Sequence, residues 1–212
     1  MGKNHKVIIS LSIMFVLALA CSTLYAGSLS GQKYYTRTNI WYESPNDILS
    51  TNYHRGVILP VGTKVSIHSI NNRRIRFTPE GSGQLFTLIN VKASTINTEE
   101  LFNRYFSTEP VGIGIGEYSQ VTEADRENIK NGTIAIGMSK KAVLMAYGYP
   151  PSHKTPLLTS DIWYYWYARL HKVNVYFKDD KVFKIEKIEP AEFPGFTKSI
   201  VDSEGGIKKK AK

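Results

Sequence analysis

Apolar residues return at every second position twice in this chain, between Tyr34 and Val91 and again between Ile162 and Ile188. That period belongs to β-strands with one buried and one wetted face. In the first stretch β-branched and aromatic residues predict strands over Tyr34 to Tyr42, Val57 to Leu59, Lys64 to Ile70, Arg73 to Thr78 and Leu85 to Val91. Val65 and Ile67 share one face, as do Ile75 and Phe77, and Arg74 and Arg76 fall on the opposite one. Asn71-Asn72 tolerates the left-handed backbone of a tight hairpin, and Pro79-Glu80-Gly81-Ser82-Gly83 makes a longer turn. A meander from Val65 to Val91 follows, and with it a small barrel or curled sheet.

The period then changes. Leu101, Phe102, Tyr105 and Phe106 are spaced for one face of a helix over Thr95 to Phe106, with Glu99 and Glu100 near its positive end. Glycines at 112, 114 and 116 alternate with β-branched residues, marking a boundary or a close-packed extended strand. The domain division falls near Tyr118. Thr122 to Asn131 reads as a helix with Thr122 as its N-cap and Gly132 past its end, and a second runs from the N-cap Ser139 to Tyr147, stopped by Gly148. Strands are predicted over Ile162 to Ala168, Val173 to Lys178 and Val182 to Ile188, the last two joined by an Asp179-Asp180 turn. Val173, Val175 and Phe177 form one face, and Phe183 and Ile185 alternate with Lys184 and Glu186. Such a sheet has one apolar side for two helices to cover. The fold class is therefore α+β: a small all-β, barrel-like domain with one helix over 31–118, then two helices and a three-stranded antiparallel sheet over 119–190. The glycine- and lysine-rich end, 191–212, reads as a basic flexible tail.

The wording of the second unit is distinctive. Ile136-Gly137-Met138-Ser139-Lys140-Lys141-Ala142-Val143, Tyr147-Gly148-Tyr149-Pro150, Trp163-Tyr164-Tyr165, Val175-Tyr176-Phe177 and Asp180-Lys181-Val182 together resemble the BamE (SmpA/OmlA) family of outer-membrane assembly lipoproteins. The likeness covers Thr122 to Pro190, a third of the chain. Ala142 stands where that family has Glu or Gln, and Tyr147 where it has leucine. What the resemblance implies is a periplasm-facing domain that helps to assemble or stabilise outer-membrane β-barrel proteins. The same two-helix, three-strand unit also resembles halves of β-lactamase-inhibitor proteins. In the first unit, Leu59-Pro60-Val61-Gly62-Thr63-Lys64-Val65 looks like the entry to a strand in bacterial Src-homology-type barrels.

An address precedes the folded part. Val7 to Ala20 is a nearly unbroken apolar run after Lys3, His5 and Lys6, which has the form of a secretory signal peptide over 1–20. The run is shorter than the roughly 20 residues a helix needs to cross the hydrocarbon core. Cys21 is the sole cysteine, so it forms no internal disulfide. Ala18-Leu19-Ala20 before it suits an ordinary A-x-A cut and also looks like a lipobox that would acylate Cys21; a cut after Ala26 is a third option. The chain is thus expected to be exported, to the periplasmic face of the outer membrane as a lipoprotein or to the periplasm as a free protein. Its net charge of +9 falls to +7 once Lys3 and Lys6 leave with the signal, 25 basic minus 18 acidic side chains, which favours acidic lipids, cell-wall polymers or an acidic protein face, and export argues against nucleic acid.

Binding rather than catalysis is expected. The run Trp163-Tyr164-Tyr165-Trp166-Tyr167 puts Trp163, Tyr165 and Tyr167 on one face and Tyr164 and Trp166 on the other. Trp163, Tyr165, Trp166 and Tyr167 are the candidate aromatic contacts, set against a reading in which one of the two sets is core and the other lies under the first domain. Arg73, Arg74 and Arg76 beside the hairpin turn suit a phosphate or carboxylate, or equally a strand edge kept basic against aggregation. His54, His68, His153 and His171 have no i, i+4 pairing, so no metal site and no cofactor are expected. No G-x-S-x-G elbow appears, and the spacing of the glycines at 112, 114 and 116 misses G-x-G-x-x-G. The expected function is an envelope scaffold or assembly accessory whose partner is an envelope protein, such as the outer-membrane β-barrel assembly machinery. A secreted enzyme inhibitor and a cell-wall-binding module are the alternatives.

Overall fold

The computed structural model describes residues 32–51 and 53–189. The signal segment, Cys21 and the lysine-rich tail lie outside the described residues. Among the described residues the fold is mixed α+β: a curled half-barrel sheet, three α-helices and a separate three-stranded antiparallel sheet.

Strands β1 (Lys33–Thr36), β5 (Lys64–Ile70), β6 (Arg74–Pro79) and β7 (Phe86–Ile89), with the short β3 (Ile48–Leu49) and β8 (Phe106–Ser107), form one sheet in the order β3-β7-β6-β5-β1-β8. Alternation holds as read, with Val65, Ile67, Ile75, Phe77, Phe86 and Leu88 turned inward. Helix α1 (Thr98–Tyr105) closes the inner face with Leu101, Phe102 and Tyr105. Its start is set by Asn97, whose side chain accepts from the Glu100 N–H at 2.8 Å. Ring contacts lock the helix down: Tyr34 meets Phe102 edge-on at 5.2 Å, and Phe77 meets Phe106 at 5.0 Å.

Three local expectations change. The predicted strand from Tyr34 to Tyr42 is two strands, because the chain leaves the sheet at Arg37 and returns as β2 (Ile40–Tyr42), which pairs with β4 (Val57–Leu59). The β5–β6 hairpin does not use left-handed residues at Asn71-Asn72. Instead the Asn71 Oδ1 accepts from the N–H groups of Arg73 and Arg74, a side-chain turn that needs no positive φ. The stretch with glycines at 112, 114 and 116 is a turn ending in a 3-10 segment (Gly116–Tyr118) rather than a strand, with positive φ at Gly114 and Gly116.

A second core begins there. Tyr118 and Val121 are buried in it, and Val111, Ile113 and Val61 pack against it. After a 3-10 turn (Glu123–Asp125) come α2 (Arg126–Asn131) and α3 (Lys140–Tyr147). Thr122 makes no backbone cap; its hydroxyl reaches Asp125 instead. Ser139 does cap α3, accepting from the Ala142 N–H at 3.1 Å, and Gly148 ends it at φ 85°. Strands β9 (Ile162–Trp166), β10 (Lys172–Lys178) and β11 (Lys181–Ile188) form an antiparallel sheet in the order β11-β10-β9. Asp179 and Asp180, both at positive φ, make the tight β10–β11 turn. One sheet face is sealed by the helices: Val143, Met145 and Ala146 of α3 and Ile129 of α2 pack over Trp163, Tyr165, Val173, Val175, Phe177 and Val182. Full burial of each large side chain there contributes about 1.5–3 kcal/mol.

Candidate functional site

The second sheet has a free side, and its residues differ from those expected. Trp163 and Tyr165 are 0% exposed, so the reading of them as contact residues is corrected: they belong to the core face. Trp163 packs on Phe177 at 4.7 Å, and the Tyr165 hydroxyl donates to the Gly148 carbonyl at 2.9 Å. Strand alternation demands this, because Val173 and Val175 pair across from Tyr165 and Trp163 on the side the helices cover. Trp166 stays on the outer side, half-buried, with the His153 ring stacked 5.9 Å away. Tyr167 is half-buried beyond the end of β9, its hydroxyl bonded to Glu189, which also takes His171. Those hydrogen bonds hold the Glu189 carboxyl below the usual carboxylate range.

Around Trp166 the outer face is wider than the five-residue aromatic run. Tyr164 of β9, Tyr176 of β10 and Phe183 of β11 share it, Tyr176 and Phe183 meeting at 6.3 Å. The Lys184 ammonium lies 4.7 Å over the Tyr176 ring and that of Lys172 5.9 Å from Trp166. Tyr176 is fixed by its hydroxyl, which donates to Glu186 at 2.6 Å. Phe183 reaches this face through an irregularity that residue alternation does not announce. Phe177 pairs with Val182 but Tyr176 pairs with Lys184, so Phe183 is the extra residue of a bulge and is 54% exposed. The expectation that Phe183 and Ile185 share a face is therefore corrected: Ile185 turns inward beside Val175 and Phe183 turns out.

Arg73, Arg74 and Arg76 belong to the other sheet and are exposed. β6 lies between β5 and β7, so these residues do not guard a sheet edge. Arg73 donates through Nε to the Asn90 carbonyl at 3.2 Å, tying the hairpin to the end of β7. Arg74 and Arg76 project from the outer face across from Ile89 and Thr87 and form no ion pair with a described residue. The structure does not gather them with the aromatic face.

Between the two cores runs a polar seam that sequence reasoning missed. Asn39 is 1% exposed and fully bonded: Nδ2 donates to the carbonyls of Ile129 (2.5 Å) and Ala146 (3.0 Å), and Oδ1 accepts from the Val61 N–H at 2.9 Å. One amide, just before β2, thus ties the first unit to both helices of the second. Arg37 grips Glu117 with both arms of its guanidinium, and the Tyr118 hydroxyl donates to the Arg37 carbonyl at 2.7 Å. His54, from the β3–β4 connection, inserts between units. Its Nε2 lies 2.6 Å from the Tyr147 carbonyl and its Nδ1 3.2 Å from that of Trp166, with the ring stacked on Tyr147. A neutral imidazole donates from one nitrogen only, and the shorter contact assigns the proton to Nε2. Burial lowers its pKa to about 4, outweighing the two carbonyls, which pull the other way. Beside His54 and Trp41 the seam opens into a cleft of about 270 Å³. Gly132, at φ 62°, lets the end of α2 approach Trp41 so closely that a Cβ would sit 2.6 Å from the indole.

Among the described residues no three of the acidic, histidine or cysteine side chains stand close enough to share a metal ion. Comparison of the chain with protein-family models, with curated proteins and with solved structures finds no match.

Proposed function

We propose that this chain is an exported, non-catalytic protein of the bacterial cell envelope whose C-terminal unit docks a partner protein, as an accessory to outer-membrane protein assembly. One observation carries the reading: a three-stranded sheet is sealed on one side by α2 and α3 while its other side presents Tyr164, Tyr176 and Phe183 among lysines. Large amphipathic rings at modest entropy cost are the residues that dominate protein interfaces, and the flanking ammonium groups select for an acidic or carbonyl-rich partner. The BamE-like wording of Gly137-Met138-Ser139 falls at the entry to α3, and that of Trp163-Tyr164-Tyr165 falls on β9, which supports the assembly role. An acylated Cys21 would hold this face at the inner surface of the outer membrane.

The test is complementation in a strain lacking the protein. The wild-type chain is expected to restore outer-membrane barrel levels and detergent resistance, the pair Tyr176→Ser and Phe183→Glu to fail while remaining folded, and Arg74→Ser to succeed. A deletion strain with unchanged barrel levels and detergent resistance would remove the assembly role. Mass spectrometry of the mature N-terminus decides whether Cys21 carries acyl chains.

A further inference from the structure

The cleft in the seam is built unlike the surfaces around it. It is an open cleft of about 270 Å³ rather than an enclosed cavity, so a ligand can enter it from solvent. Its walls are apolar and come from both units: Trp41 from the first, and Tyr147, Ile134, Val173 and Ile185 from the second. Its polar equipment is one-sided. Lys187 is the charged residue of the lining, and no carboxylate lines the space. Glu189, the carboxylate that feels the Lys187 charge, is already held by Tyr167 and His171.

The other polar groups of the lining are mostly committed. The Asn131 amide donates to Glu127, the Thr133 hydroxyl donates to Asn128, and both nitrogens of His54 face carbonyls. The indole N–H of Trp41 has no acceptor among the described residues, but it is buried out of a ligand's reach. A ring-lined wall and one ammonium ask for an anion with an apolar body.

We propose that this cleft binds a small carboxylate carrying an aromatic or branched apolar body of about ten non-hydrogen atoms, its carboxylate on Lys187 and its body against Trp41, Ile134 and Ile185. The free acid and the C-terminal residue of a peptide share this chemistry. Because the cleft needs both units in place, occupancy fastens the seam that Asn39 and His54 already bridge. The site is separate from the outer aromatic face, so either assignment can fail without the other.

Calorimetric titration of the full chain with 3-phenylpropionate, its neutral amide and a dipeptide ending in phenylalanine tests the assignment. 3-Phenylpropionate is expected to bind saturably with submillimolar Kd, and the amide at least tenfold more weakly, as for loss of a charge-assisted hydrogen bond. Lys187→Gln should abolish that preference while Phe183→Glu leaves it intact. The dipeptide separates the two sources: binding as tight as the free acid indicates a chain terminus, and exclusion indicates a free acid. Equal binding of acid and amide, unchanged preference in Lys187→Gln, or no saturable binding up to millimolar concentration would overturn the proposal.

Discussion

Mild acid is expected to loosen this fold through His54, at a pH above the range in which carboxylates titrate. Burial holds the folded-state pKa at about 4 against an ordinary 6.5, with the half-buried ring packed against Tyr147, Tyr165 and Trp41. Between those values the unfolded chain takes up a proton that the folded chain refuses. Unfolding therefore binds a proton, and stability falls as pH falls. Linkage makes the loss about 2 kcal/mol by pH 5 and about 3 kcal/mol by pH 4, a large part of a small fold's margin. Other groups facing the same window act weakly or later. The His153 ring is lowered by partial burial and by Lys154, giving a slope of the same sign, and Glu80, Glu123, Glu186 and Glu189 all titrate below the usual carboxylate range.

The assay is urea unfolding of the full chain in steps from pH 7.5 to 5.0, with His54→Phe alongside. Phenylalanine keeps a ring against Tyr147 and removes the titration. It should be less stable at pH 7.5 by about 1–2 kcal/mol, because the Tyr147 carbonyl loses its donor. Its stability should nonetheless be nearly flat down to pH 5, so the two curves converge as acid is added. Parallel curves, with wild type and variant losing equal stability between pH 7 and 5, would refute the reasoning.

Two further outcomes follow from the seam. Asn39→Ala strips three hydrogen bonds and removes the side-chain partner of the Ala146 carbonyl and the Val61 N–H, while the Ile129 carbonyl keeps the Gly132 N–H, so a loss of about 3 kcal/mol is expected in the same urea assay. Gly132→Ala combines a left-handed backbone with a Cβ driven into Trp41 and Ile58, and thermal melting should show a cost of at least about 2 kcal/mol.

Much of the local structure was legible in the chain because it is decided by neighbours in sequence. The β4 and β5 strands fall where period two placed them, Ser139 and Gly148 bracket α3 through their own cap geometry, and Asp179-Asp180 forms the turn its residues favour. The candidate contact surface was legible in part. The aromatic run identified β9, and alternation divided it into two sets, but nothing local said which set the helices would cover. Phe183 was misplaced because one extra residue in β11 flips every side chain that follows, and a bulge is specified by the pairing with β10 rather than by β11 alone.

By itself, then, the amino-acid order determined periodicity, caps and turns: two β-rich segments, a helix between them and a helix pair before the last three strands. Tertiary structure alone decided which polar residues were structural. Asn39 and His54 look like ordinary loop residues until the second unit brings the carbonyls of Ile129, Ala146, Tyr147 and Trp166 to them, from 90 to 112 positions away along the chain. A buried polar atom's partner is set by where the backbone returns, and the energy of leaving it unpaired makes that return specific.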